Sequence, residues 1–179
     1  GDHGDRIRVV ATSSTTRGKT SATSTATEPV SGVAPSVASV TVSGSAVTGQ
    51  RLTATASGVS GAPAPTTAIR WQRSNDGATW SDIANATAAD YTIADSDYGY
   101  QLRAVATATN TEGRAEATST ATGAVAGTSA TIASASISGT TTVGQTLTAS
   151  AGTTGGTPAP TVAYVWQRSS DGSTGWADI

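Results

Sequence analysis

The stretch "WQRSNDGATWSDI" begins at Trp71, and "WQRSSDGSTGWADI" begins at Trp166. These two near-copies hold all four tryptophans of the chain. The copying extends beyond them. With the sequence shifted by 95 residues, Gly44 meets Gly139, Gly49 meets Gly144, Pro63 meets Pro158, Pro65 meets Pro160 and Trp71 meets Trp166. Between 37–79 and 132–174, 23 of 43 positions are identical. A bias toward Ala and Thr inflates such a count, but it cannot bring Trp, Gln, Arg, Pro, Asp and Gly into register together. The same shift lays "GDRIRVVATSSTTRGKTSATSTATEPV" from Gly4 on "GYQLRAVATATNTEGRAEATSTATGAV" from Gly99. A period of this length means copies of one folding unit.

The repeat divides the chain into a partial copy over 1–30, a complete copy over 35–127 and a further partial copy over 131–179. Two readings of that frame stay open. In one, the chain is a piece of a longer array. In the other, the last part of one chain is completed by the first part of the next through strand donation, giving a head-to-tail filament.

Within one copy, short alternating runs lie between Gly, Pro, Asn and Asp, and no apolar 3.6 period appears. Strands are expected over 37–43, 50–57, 68–74, 78–83, 90–93, 100–110 and 114–125. Leu52, Ala54 and Ala56 share one face of the second strand. Tyr100, Leu102, Ala104, Ala106 and Ala108 share one face of the sixth. Pro63 and Pro65 belong to a loop, since proline fits no central strand. Asn75-Asp76-Gly77 favours a hairpin turn. Seven short strands in about 95 residues predict an all-β fold of tandem sandwiches, with a thin core around Trp71.

Composition narrows the function. Low charge and well-placed Val and Thr argue against a disordered linker. The net charge is −2 with ten scattered basic residues, so nucleic acid is not an expected partner. No apolar run approaches a membrane span, and no membrane insertion is expected. Cysteine is absent, which removes disulfides and thiolate metal sites. The start carries neither Met nor a basic-then-apolar leader, and the chain reads as part of something longer.

The runs "VTGQRLTATASG", "AIRWQRSNDGATWSDI" and "DSDYGYQLRAVATATN", with the second copy "VGQTLTAS…YVWQRSSDG", resemble the bacterial immunoglobulin-like repeats of bacterial surface proteins and phage structural proteins. The resemblance covers essentially the whole chain. It implies an immunoglobulin-like sandwich of about seven strands, with Trp71 and Trp166 as core tryptophans, beside the Leu52 that alternation already places on the inward face. Leu102 stands where an antibody domain has its second Cys, and Tyr100 could form a tyrosine corner. It also implies an extracellular setting, on a bacterial cell surface or a phage virion.

Each chemistry-bearing residue has a plain alternative. His3, the only imidazole, lacks the partners of a triad or a His-based metal site and reads as a loop residue. Asp95 and Asp97 could contribute to a weak calcium site, but turn aspartates that bond their own backbone are the simpler reading. Asp76 and Asp171 recur in register, Asp82 and Asp178 recur across one inserted residue, and they are explained by a turn and a strand end. No enzyme is expected. Trp80 and Trp176 could stack on sugars, or Trp80 could cover the sandwich edge beside Trp71. The outer threonines read as strand propensity.

The expected function is therefore a non-enzymatic structural, spacer or adhesive array with no cofactor. Its partners would be neighbouring repeats or subunits, and a cell-surface glycan or host receptor. A glycan-binding module and a self-assembling filament subunit are the alternatives.

Overall fold

The computed structural model describes residues 1–179 and is all-β apart from one 3-10 turn. The first segment is a hairpin of β1 (Val10–Thr15) and β2 (Gly18–Thr23), paired from Val10↔Thr23 to Thr15↔Gly18. Every residue of both strands is exposed.

The central segment holds β3 (Val33–Ser36), β4 (Ser39–Ser43), β5 (Arg51–Ser57), β6 (Ser60–Ala62), β7 (Thr66–Ser74), β8 (Ser81–Asp82) and β9 (Asp90–Thr92). The 3-10 turn Asp95–Asp97, β10 (Gln101–Asn110) and β11 (Gly113–Thr118) follow. One antiparallel sheet has the order β11-β10-β7-β8, a second β4-β5-β9, and β3 pairs β6. The core takes Val40, Leu52 and Ala54 from the three-stranded sheet. Trp71, Leu102, Ala104 and Ala106 come from the four-stranded sheet, and Ile93 and Val125 from the loops. Two sheets closing on one apolar layer are consistent with a β-sandwich.

The alternation of period two explains who faces inward. Ala104 pairs directly with Trp71 across β10 and β7, so a small side chain leaves room for the indole. Trp71 is fully buried, and its Nε1–H donates to the Ala88 carbonyl at 3.0 Å. The Tyr91 ring lies 5.6 Å away, tilted by 31°.

The last segment holds β12 (Thr128–Ile132), β13 (Ala135–Gly139), β14 (Leu147–Ala151), β15 (Thr154–Thr157), β16 (Gln167–Arg168) and β17 (Ala177–Asp178). They pair as β12-β15, β13-β14 and β16-β17. Ala135↔Ala151 stands 95 residues after Val40↔Ala56, and Thr128↔Thr157 the same distance after Val33↔Ala62.

Several expectations change. The stretches "SGVAPS" (31–36) and "AGTSAT" (126–131), whose composition alone suggests short linkers between copies, contain β3 and the start of β12. The expected strand 78–83 contracts to Ser81–Asp82, because Asp76 Oδ1 accepts the N–H groups of Ala78 and Thr79. Those donors are then lost to a ladder. The strand expected over 114–125 ends at Thr118.

Candidate functional site

The outward face of the four-stranded sheet carries a polar row. Arg103 Nε donates to Gln72 Oε1 at 2.8 Å, and Gln72 Nε2 to Asp82 Oδ1 at 2.7 Å. The Arg103 guanidinium lies 4.1 Å over the Trp80 ring, a cation–π contact. Trp80 is half-buried, and its Nε1–H donates to the Gly77 carbonyl. One face of that indole is therefore occupied. Trp176 is 54% exposed.

Further along the row, Arg70 grips Glu116 with two nitrogens, at 2.7 and 3.2 Å. Thr107 Oγ1 donates to the same carboxylate at 2.8 Å, and Arg114 reaches it too. The bond from Arg70 first, and then that from Thr107, lowers the Glu116 carboxyl from 4.5 to about 2.

Asp97 is fully buried at the entry to β10. Its Oδ1 accepts from Arg73 at 2.9 Å. Its Oδ2 accepts the Tyr91 hydroxyl at 2.6 Å and the Ala94 N–H at 3.1 Å. Burial, and then the bond to Asp97, pushes the Tyr91 phenol well above its usual range. This closed set pins the loop before β10 to β7.

Asp95, two residues earlier, accepts the Thr157 hydroxyl at 2.7 Å. The carboxylates proposed as calcium ligands thus hold different partners. No group of three or more His, Asp or Glu side chains is placed to share a metal ion. His3 Nε2 contacts Glu112 Oε1 at 2.7 Å. Asp76 caps its own turn, and the N–H groups of Thr79 and Ala78 with the Ser74 hydroxyl hold it well below the carboxylate range. Asp171 does the same through the Thr174 hydroxyl, the Thr174 N–H and the Ser173 N–H. Asp178 accepts from Gln167 at 2.9 Å, as Asp82 does from Gln72.

Leu52 and Leu102 are fully buried with Trp71. Trp166 is only half-buried, because no strand lies beside it where β10 lies beside Trp71. Tyr100 is half-buried with the Arg73 guanidinium 5.0 Å from its ring centre. The phenol that bonds back into the fold is that of Tyr91.

Two seams join the segments. At the first, His3 of the first segment meets Glu112 of the central one, beside Gly32, where an added Cβ would come within 2.5 Å of the Ala62 carbonyl oxygen and 2.6 Å of Glu112 Cγ. At the second, a Cβ on Gly127 would run into the Thr157 carbonyl and the Tyr98 ring. Gly32 and Gly127 are 95 residues apart, as are Ala62 and Thr157. Sequence reading missed both seams; the only signal was two glycines in register. No helix is long and apolar enough to cross a membrane. No family model, curated protein or solved structure matches the chain.

Proposed function

We propose that this chain is a run of tandem immunoglobulin-like repeats, divided at about 1–30, 35–127 and 131–179, that serves as a non-enzymatic spacer or adhesive array. Its setting is extracellular, on a bacterial cell surface or a phage virion. The observation that supports this best is the repeated seam. The same glycine meets the same loop at both junctions, with no room for a side chain. Thr157, buried in the second seam, adds a hydroxyl bond to Asp95. With His3 on Glu112 at the first junction and Thr157 on Asp95 at the second, each joint is also bonded across, which restrains neighbours as a spacer needs and a flexible tether lacks.

The test is a distance measurement between spin labels at Thr55 and Ser150, exposed positions on β5 and β14. A stiff array gives one narrow distance, and Gly127→Ala broadens it. A broad distribution in the parent chain would reject the spacer reading. Glycan binding is the second reading, and the exposed Trp176 indole favours it. Loss of glycan-array signal on Trp176→Ala would support it; a chain that binds no glycan would end it.

A further inference from the structure

The central segment has five arginines, Arg51, Arg70, Arg73, Arg103 and Arg114. Four of them meet a carboxylate. Arg51 meets Asp90, Arg70 meets Glu116 and Asp82, Arg73 meets Asp97, and Arg114 meets Glu116. Arg103 meets none. Its Nε–H goes to Gln72 and its guanidinium lies over the Trp80 ring, while its two Nη groups have no acceptor in the protein. Burial, and then the neighbouring Arg70 charge, holds Arg103 below the ordinary arginine range. It stays protonated even so. The polar row thus carries three arginines (Arg70, Arg103 and Arg114) against two carboxylates (Asp82 and Glu116), one net positive charge on a chain whose net charge is −2.

The unpaired guanidinium is also held still. Val105 alternates with Arg103 and Thr107 on the outward face of β10 and stands apart from the core cluster, yet it is only 2% exposed. The side chains of the row therefore close over it. Packed in that layer, with Nε tied to Gln72 and the indole against its guanidinium, Arg103 has little rotamer freedom left to lose on binding. Nη1 and Nη2 then form a fixed fork that matches the two oxygens of a carboxylate.

The three residues recur together in the repeat. Arg8 stands 95 residues before Arg103, Gln167 stands 95 after Gln72, and Trp176 follows Trp80 across one inserted residue. The neutralised pair beside them does not recur. Val165 stands in the place of Arg70, and Ser21 in the place of Glu116. What the copies share on this face is the arginine fork, and not the ion pair.

We propose that Arg103, with Gln72 and Trp80, is a binding site for the carboxylate of an acidic polysaccharide, a chain of uronic-acid sugars. The carboxylate takes the two Nη groups, and the C–H face of the sugar ring packs on the part of the Trp80 indole left exposed. A sugar acid brings a carboxylate and an apolar ring face on one small unit, whereas an aspartate or glutamate side chain brings only the first. A fork repeated from copy to copy also suits a ligand whose charge repeats along its length. This site deepens the glycan-binding reading and rests on it.

The test is isothermal titration of the full chain with a galacturonic-acid oligomer and with the same oligomer methyl-esterified, which keeps the sugar and removes the charge. The parent chain should bind the acid and bind the ester at least about tenfold more weakly. Arg103→Gln should weaken binding of the acid about tenfold. Arg103→Lys keeps the charge without the fork and should weaken it by less. Arg51→Gln, on the other sheet and paired with Asp90, should leave it unchanged. An ester that binds as tightly as the acid overturns the proposal and leaves the broader glycan reading standing. Affinity that neither Arg103 variant moves overturns it, and so does a chain that binds neither form. Polyglutamate that binds as tightly as the acid oligomer, and loses as much with Arg103→Gln, overturns it in favour of an acidic polypeptide.

Discussion

Between Thr118 and Val125 the chain advances three residues for every two on β10. The N–H groups of Ser119, Thr122 and Val125 donate to the carbonyls of Ala104, Leu102 and Tyr100. At that spacing, backbone carbonyls cannot meet the N–H groups of Ala104 and Leu102. The hydroxyls of Ser119 and Thr122 accept them instead, each at 3.0 Å. Ser24 and Thr27 do the same for Val9 and Ile7. Ser119→Ala would leave the buried N–H of Ala104 without a partner, at a cost of about 1–3 kcal/mol in denaturant unfolding. Thr120→Ala, one residue along and exposed, should change stability little. These hydroxyls read as strand propensity in the sequence, because a reading of period two has no place for a step of three against two. Glu116 supplies a second test. Its folded pKa lies below its unfolded one, so its contribution is complete above pH about 4.5 and fades as pH falls toward about 2. The stability gap between the parent chain and Glu116→Gln should therefore close over that window. A gap that persists below it would contradict the Arg70 pairing.

A strand is as long as its partner allows. β7 is nine residues long because β10 pairs along it, whereas β16 has no such neighbour and keeps two. Hydrogen exchange should show this directly. Amides of 66–74 should be protected, and those of 161–165 should exchange fast in dilute protein. The tryptophans should differ in the same way. Trp71→Ala removes a fully buried side chain and should cost about 3–5 kcal/mol. Trp166→Ala in dilute protein should cost well under half of that, since its site is already open. The inward faces of β5, β7 and β10 were legible from alternation alone. β3 and β6 were not. Val33-Ala34-Pro35-Ser36 and Ser60-Gly61-Ala62 are too short and too rich in Pro and Gly to announce a pairing between segments about 25 residues apart. The Asp76 loop was half legible. Asp-Gly marked the turn, but the capture of Ala78 and Thr79 by one carboxylate made it longer than a hairpin turn.

At the scale of the molecule, the 95-residue register carried most of what could be read, since equal letters at equal spacing imply equal pairings. It located the paired strands of each copy and the core Trp71 and Trp166, and only the extra Gly175 sets Trp176 one residue out of step with Trp80. It could not reveal that Asp97 would be buried with Arg73 and Tyr91, because that closure brings the 3-10 turn and β9 onto β7, 24 residues earlier for Arg73. Asp97→Ala should cost about 1–3 kcal/mol by leaving the Tyr91 hydroxyl and the Ala94 N–H without an acceptor, with loosening of the loop before β10 visible in proteolysis.

The path of the chain through the central segment has a mechanical consequence. The chain enters at Val33, beside Ala62 near the far end of β10, and leaves at Ala126, beside Val47 near its start. Tension between those points pulls residues 119–125 lengthwise along β10. Their bonds to Ala104, Leu102 and Tyr100 are then loaded together in shear, so none can be peeled away before the next.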